Sequence, residues 1–129
     1  MLEKFEGIFY QIYENSNYDV KKIEYSLISE RELKIDIFDS DKIISGNVTY
    51  LNKYSNEGDI YEFMEFMEIL DFGEVKHVFF YKILYADYEN YLILGDINGN
   101  NIRILSRKDT FSQSEFNLLI EITRLKGYN

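Results

Sequence analysis

Cysteine is absent from the 129 residues, which removes disulfides, thiolate metal sites and thiol nucleophiles together and leaves the redox compartment open. Proline and tryptophan are also absent. With no Pro/Gly-rich linker, repeat or low-complexity tract, the expectation is one domain spanning 1–129. The single histidine, His77, cannot by itself build a multi-histidine metal centre. No stretch approaches the roughly 18 uninterrupted apolar residues of a membrane helix. Basic residues are scarce, 14 against 23 acidic for a net charge of −9, and only Lys21-Lys22 and Arg107-Lys108 are adjacent pairs. Such a balance argues against nucleic acid and against anionic membrane surfaces, and reads as a device for solubility. No Ser/His/Asp set and no phosphate-cradling glycine loop can be assembled. Catalytic residues, metal and cofactor are therefore all expected to be none.

What the chain does have is aromatic residues, 12 Tyr and 10 Phe. Side chains of this kind favour the half-buried surface of strands. Short strand-like runs follow one another with turn residues between them. They cover Gly7 to Glu14, Val20 to Ser29, Glu32 to Phe38, Lys42 to Leu51, Ile60 to Leu70, Val75 to Ala86, Asn90 to Gly95 and Ile102 to Arg107. Asn52 to Asp59 reads as a loop, and Asn98-Gly99 is a hairpin signal. The period then changes. Ser112-Gln113-Ser114-Glu115 is a capping box, Phe116, Leu119, Ile120 and Thr123 fall on one helical stripe, and Gly127 suits a left-handed C-cap. Eight sequential strands suggest an all-β, antiparallel up-and-down β-barrel with one C-terminal α-helix packed outside, a form that leaves no free sheet edge. A barrel of eight strands encloses its own side chains or one small ligand.

Three blocks carry a likeness to a known family. Phe5 to Ile12 resembles the G-x-W-Y-x-I opening strand of lipocalins, with Phe9 in place of the tryptophan. Tyr81 to Tyr91 is similar to that family's sixth-to-seventh strand turn, whose T-D-Y core stands here as Ala86-Asp87-Tyr88. Ile102-Arg103-Ile104-Leu105-Ser106-Arg107, then the capped helix, then Gly127-Tyr128, resembles the ending of the bacterial outer-membrane lipocalin and apolipoprotein D branch. The resemblance implies a soluble calycin barrel that binds or transports a small hydrophobic ligand such as a fatty acid or lysophospholipid. It also implies that Arg107 packs across Phe9 to close one end, with Gly7 and Asp87 as structural members of that closure. Fatty-acid-binding proteins, the rival barrel, place two helices between their first strands, and Asn15 to Asp19 is too short for that.

Strand alternation sorts the remaining side chains. On the sixth strand His77, Phe79, Tyr81, Ile83 and Tyr85 share the face opposite Lys76 and Lys82, and are assigned to the interior. The same rule turns inward Phe9, Gln11 and Tyr13; Ile23, Tyr25 and Leu27; Leu33, Ile35 and Ile37; and Tyr91 with Ile93. Ligand-lining candidates are thus Tyr13, Tyr25, Phe79, Tyr81, Ile83, Tyr85 and Tyr91, with ordinary core packing as the competing reading. Several inward tyrosines favour a cavity, because each buried hydroxyl needs a partner. Arg103 points the same way as Leu105 and Arg107. A buried guanidinium must be paired, so Arg103 either anchors the carboxylate or phosphate of a lipid or forms an internal ion pair with Glu65 or Glu68. The run Tyr61 to Glu68 does not alternate cleanly, and a bulge is expected there.

The function expected is binding of a small hydrophobic molecule, without enzymatic activity, by a monomer or weak dimer that makes no integral membrane contact. The alternatives are a filled barrel that binds a protein through Tyr54, Tyr88 and Phe111, or an isomerase on the same scaffold. The first residues, Met1 to Glu6, lack the basic-then-apolar run of a secretory signal. The location expected is therefore cytoplasmic, or secreted or periplasmic if such a segment has been trimmed.

Overall fold

Alternating apolar and polar residues write a two-residue period into most of the chain, and in the computed structural model those runs become strands. The structure describes residues 2–14, 21–53 and 64–128. A short 3₁₀ helix, Leu2–Phe5, precedes β1 (Gly7–Glu14), β2 (Lys21–Ser29), β3 (Glu32–Asp39), β4 (Lys42–Lys53), β5 (Met64–Asp71), β6 (Lys76–Asp87), β7 (Tyr91–Asp96) and β8 (Ile102–Ser106). Helix α1, Gln113–Leu125, follows. Each strand pairs antiparallel with the next, and β1 pairs with β8, so the sheet closes into an eight-stranded up-and-down barrel. The expected fold is the observed one. The part of the expected fifth strand from Ile60 to Phe63, like most of the expected loop after Lys53, lies outside the described residues.

Two apolar cores result. Inward residues including Phe9, Ile23, Tyr25, Leu33, Ile35, Phe66, Ile83, Leu92 and Leu105 fill the barrel. On the outside, Ile12, Leu84, Ile93, Ile102 and Ile104 meet Phe116 and Leu119 of α1. β7 and β8 are therefore buried on both faces, which is why Tyr91-Leu92-Ile93-Leu94 runs without polar interruption.

The helix begins and ends as expected. Ser112 Oγ accepts a hydrogen bond from the Glu115 N–H at 3.1 Å and donates to Glu115 Oε1 at 3.0 Å. Gly127 has φ +91°, and Tyr128 N donates back to Thr123 O at 3.2 Å, closing the last turn. The Tyr91 hydroxyl donates to Glu115 Oε2, tying the start of α1 to β7. Burial, with that bond to Glu115, holds the Tyr91 phenol up at about 12.

Register shifts interrupt four ladders, between Gln11 and Tyr13, Leu27 and Ser29, Tyr50 and Asn52, and Ile83 and Tyr85. The irregularity expected in the fifth strand thus falls on its partner β4, while the described part of β5 keeps a regular alternation with Phe66, Glu68 and Leu70 inward. Each shift exchanges the faces of the residues beyond it, and two of them decide where the site residues point.

Candidate functional site

One end of the barrel is sealed by the chain's own start. The 3₁₀ turn brings Leu2 and Phe5 to one side, and both are buried. The Phe5 ring meets Tyr25, Phe66 and Tyr88 edge-on at 5.9, 5.4 and 5.4 Å. Arg107 lies over the Phe9 ring with Cζ 3.7 Å from its centroid, the contact expected of this pair. Its guanidinium also donates to the carbonyls of Lys4, Glu6, Ile8 and Tyr88 at 2.9–3.2 Å. Gly7 has φ +109°, and a Cβ there would stand 3.1 Å from Arg107 Nη1, so both the backbone conformation and the space favour glycine. Asp87 closes the β6–β7 turn by accepting from Glu89 N and Asn90 Nδ2. Gly7, Phe9, Asp87 and Arg107, the residues assigned to closure, all lie at this end of the barrel.

A layer of polar side chains crosses the barrel nearer the other end. Arg103, 2% exposed, donates from Nη1 to Glu68 Oε1 at 2.9 Å and from Nη2 to Glu68 Oε2 at 3.1 Å. Its Nε donates to Glu14 Oε2 at 3.2 Å, and Nη2 also reaches the Tyr81 hydroxyl at 3.2 Å. The guanidinium packs on the Tyr81 ring, 4.9 Å from its centroid. Burial opposes the positive charge, but the two Glu68 contacts outweigh it and hold Arg103 well above its ordinary pKa. Tyr25 and Tyr81 are raised chiefly by burial, and the Glu68 carboxylate pushes both further. Of the two roles open to Arg103, the internal ion pair is the one observed, with Glu68 rather than Glu65 as partner. The guanidinium fork that was to anchor a lipid carboxylate is occupied.

Five of the assigned lining residues, Arg103, Tyr25, Phe79, Tyr81 and Ile83, point into the barrel. Three do not. Tyr13 and Tyr85 each lie beyond a register shift and pack in the outer core, Tyr13 with its ring 6.0 Å from that of Phe116. Tyr91 faces α1 as well, because Leu92 and Leu94 take the inward positions on β7. Leu27 keeps the inward face of β2, opposite Leu33, but is 40% exposed at the strand end. Of the loop aromatics, Tyr88 turns inward against Phe5, Phe111 stacks beside Phe116 at 5.7 Å, and Tyr54 lies outside the described residues. His77 is exposed at the strand end, against Phe72 at 4.5 Å. Two polar residues of the layer, Gln11 and Glu14, were not picked out as site residues. The shift after Gln11 returns Glu14 to the interior face, so alternation alone could not find it.

The buried tyrosines carry a test. A phenol whose folded pKa is raised stabilises the fold fully below its unfolded value near 10.0, and that stabilisation is lost as pH climbs above it. In an alkaline titration followed by phenolate absorbance, Tyr25 and Tyr81 should stay protonated until the barrel unfolds. All 12 tyrosines ionising with the native far-UV spectrum intact would contradict this.

No family model matches the sequence, and no curated protein matches it. Solved structures do. Insecticyanin from the tobacco hornworm Manduca sexta superposes with a TM-score of 0.61 at 14% identity, over 97% of this chain and 72% of that one. Apocrustacyanin C2 gives 0.62 at 18% identity, over 98% and 73%. Lobster apocrustacyanin A1 gives 0.60 at 19%, again over 98% and 73%. These neighbours are lipocalins, and the fold described above is the lipocalin fold.

Proposed function

We propose that the barrel binds one small, largely apolar molecule through the end opposite the Phe9/Arg107 closure. The observation that carries this reading is the asymmetry of the interior. Below the Arg103–Glu68 layer the barrel is packed by Phe5, Phe9, Tyr25 and Phe66. Toward the other end, the register places Ile37, Ile44, Leu70 and Phe79 on the inner wall, and Ile44 and Phe79 are only partly buried. An apolar body seated against these side chains gains about 25 cal/mol per Å² removed from water. The lipocalin fold of the structural neighbours, a fold of small-molecule carriers, supports the same reading, and a bacterial lipocalin/apolipoprotein D kinship stays part of this proposal.

The interior suits binding rather than catalysis. The Glu68 contacts hold Arg103 charged, and the two interior phenols are pushed away from neutral pH. General acid–base work calls for a group titrating near the working pH. No helix among the described residues is long and apolar enough to cross a membrane. We further propose a single domain that acts as a monomer or weak dimer.

Native mass spectrometry on protein from a lipid-containing host, repeated after delipidation, tests the proposal. A discrete adduct of a few hundred daltons that is lost on extraction is the expected result. A bare protein mass, with no uptake of long-chain alcohols, amines or fatty acids afterwards, would overturn it in favour of a filled barrel that meets a protein partner.

A further inference from the structure

The charge of the polar layer, with one unpaired amide beside it, bears on which molecules can sit there. Arg103 faces two carboxylates, Glu68 at 2.9 Å and Glu14 at 3.2 Å. One positive and two negative charges leave this buried layer with a formal charge of −1. Asp96 adds negative potential at Tyr81, its cross-strand neighbour. At the rim Lys21 is matched by Asp39 at 3.8 Å, so that pair supplies no net positive charge. The guanidinium presents Nε and both terminal nitrogens to partners already in place. An incoming anion would have to displace Glu68 from a bidentate pair and sit beside Glu14.

Gln11 points the same way. It is 4% exposed and lies on the inward face with Phe9, next to Glu14 along β1. Its side-chain amide makes no hydrogen bond with any described residue. Its carbonyl oxygen is therefore open to a donor that reaches the inner wall. Glu14 uses only Oε2 on Arg103, and its side chain is 31% accessible. Its Oε1 and the Gln11 carbonyl oxygen are acceptors, next to a layer of negative charge.

We infer that the polar end of the ligand is a cationic hydrogen-bond donor, an alkyl- or arylammonium group, held by Glu14 at the Arg103 rung, with Gln11 one rung deeper on β1. This rests on the interior-binding reading and narrows it: the hydrocarbon part lies against Ile37, Ile44, Leu70 and Phe79, and a carboxylate head is rejected. Arg103 is a positioning residue. It fixes Glu14 and Glu68 and leaves one negative charge in excess.

Three probes that share a ten-carbon tail separate the possibilities: decylammonium, decanol and decanoate, titrated at pH 7 by isothermal calorimetry below their micelle concentrations. Decylammonium should bind at least tenfold more tightly than decanoate, with decanol between them. Glu14→Gln should weaken decylammonium about tenfold, leave decanol within twofold, and leave the near-UV spectrum unchanged. Gln11→Leu should weaken decylammonium and leave decanol equal or tighter. Decanol binding with decanoate equal to or tighter than decylammonium would overturn the inference while the interior-binding reading stands. Binding of none of the three would overturn both. The wild-type order of affinities is decisive even if a variant fails to fold.

Discussion

Replacing Glu68 with alanine should lower the stability of the barrel by about 3–5 kcal/mol, because it strands a guanidinium inside an apolar wall. Glu68 is 2% exposed and holds both forks of Arg103. In its absence Glu14, at 3.2 Å but with a side chain 31% accessible, is the remaining carboxylate contact. Glu68→Gln should cost less than alanine, since an amide oxygen still accepts one bond. The double replacement Glu68→Leu with Arg103→Met should recover much of the loss, since exchanging a buried pair for apolar side chains of similar volume is often neutral or better. Urea denaturation of Glu68→Leu, Arg103→Met and the double variant gives the coupling directly. If Glu68→Ala cost under about 1 kcal/mol, a value typical of exposed pairs, the pair would be solvated and the layer would not be the buried floor described here.

Much of the fold was legible because its determinants are local. The turns at Glu30-Arg31, Asp39-Ser40-Asp41 and Asn98-Gly99 sit between runs of two-residue period, and the observed strands begin and end within a few residues of those turns. Ser112, Glu115 and Gly127 mark the helix by capping chemistry alone. The closing Arg107–Phe9 contact followed from the family resemblance.

Facing was harder to read, for two physical reasons. A register shift has no fixed sequence mark, so Tyr13 and Tyr85 were assigned by an alternation that breaks just before each of them. Tyr91 failed differently. With α1 covering the outer wall, both faces of β7 are apolar, and alternation carries no sign of which is which. Glu68 and Glu14 were obscured because either face of the fifth run carried a glutamate and Glu14 lies past a shift. The 3₁₀ plug left only the three-residue spacing of Leu2 and Phe5 as its signal.

Truncating Arg107 should open the sealed end and cost about 2–4 kcal/mol, from lost carbonyl contacts and the lost cation–π stack. Four backbone carbonyls, from Lys4, Glu6, Ile8 and Tyr88, converge on this one guanidinium. They come from the 3₁₀ segment, β1 and the β6–β7 turn, so the side chain rivets three parts of the chain that share no ladder at that point. Arg107→Lys should recover little. An ammonium has no planar fork to reach carbonyls on several sides, and it cannot lie flat over the Phe9 ring. The loss should also be local. Hydrogen exchange should quicken first at the Glu6 amide, which donates to Glu3 O at 3.2 Å, and at Asn90, which donates to Asp87 O at 2.9 Å. The amides of β3 and β4, on the far wall, should keep their protection until global unfolding. Uniform acceleration across all strands would mean that the closure is part of the global folding unit. Unchanged exchange at Glu6 and Asn90 would mean that Phe5, wedged among Tyr25, Phe66 and Tyr88, seals the end without help from the arginine.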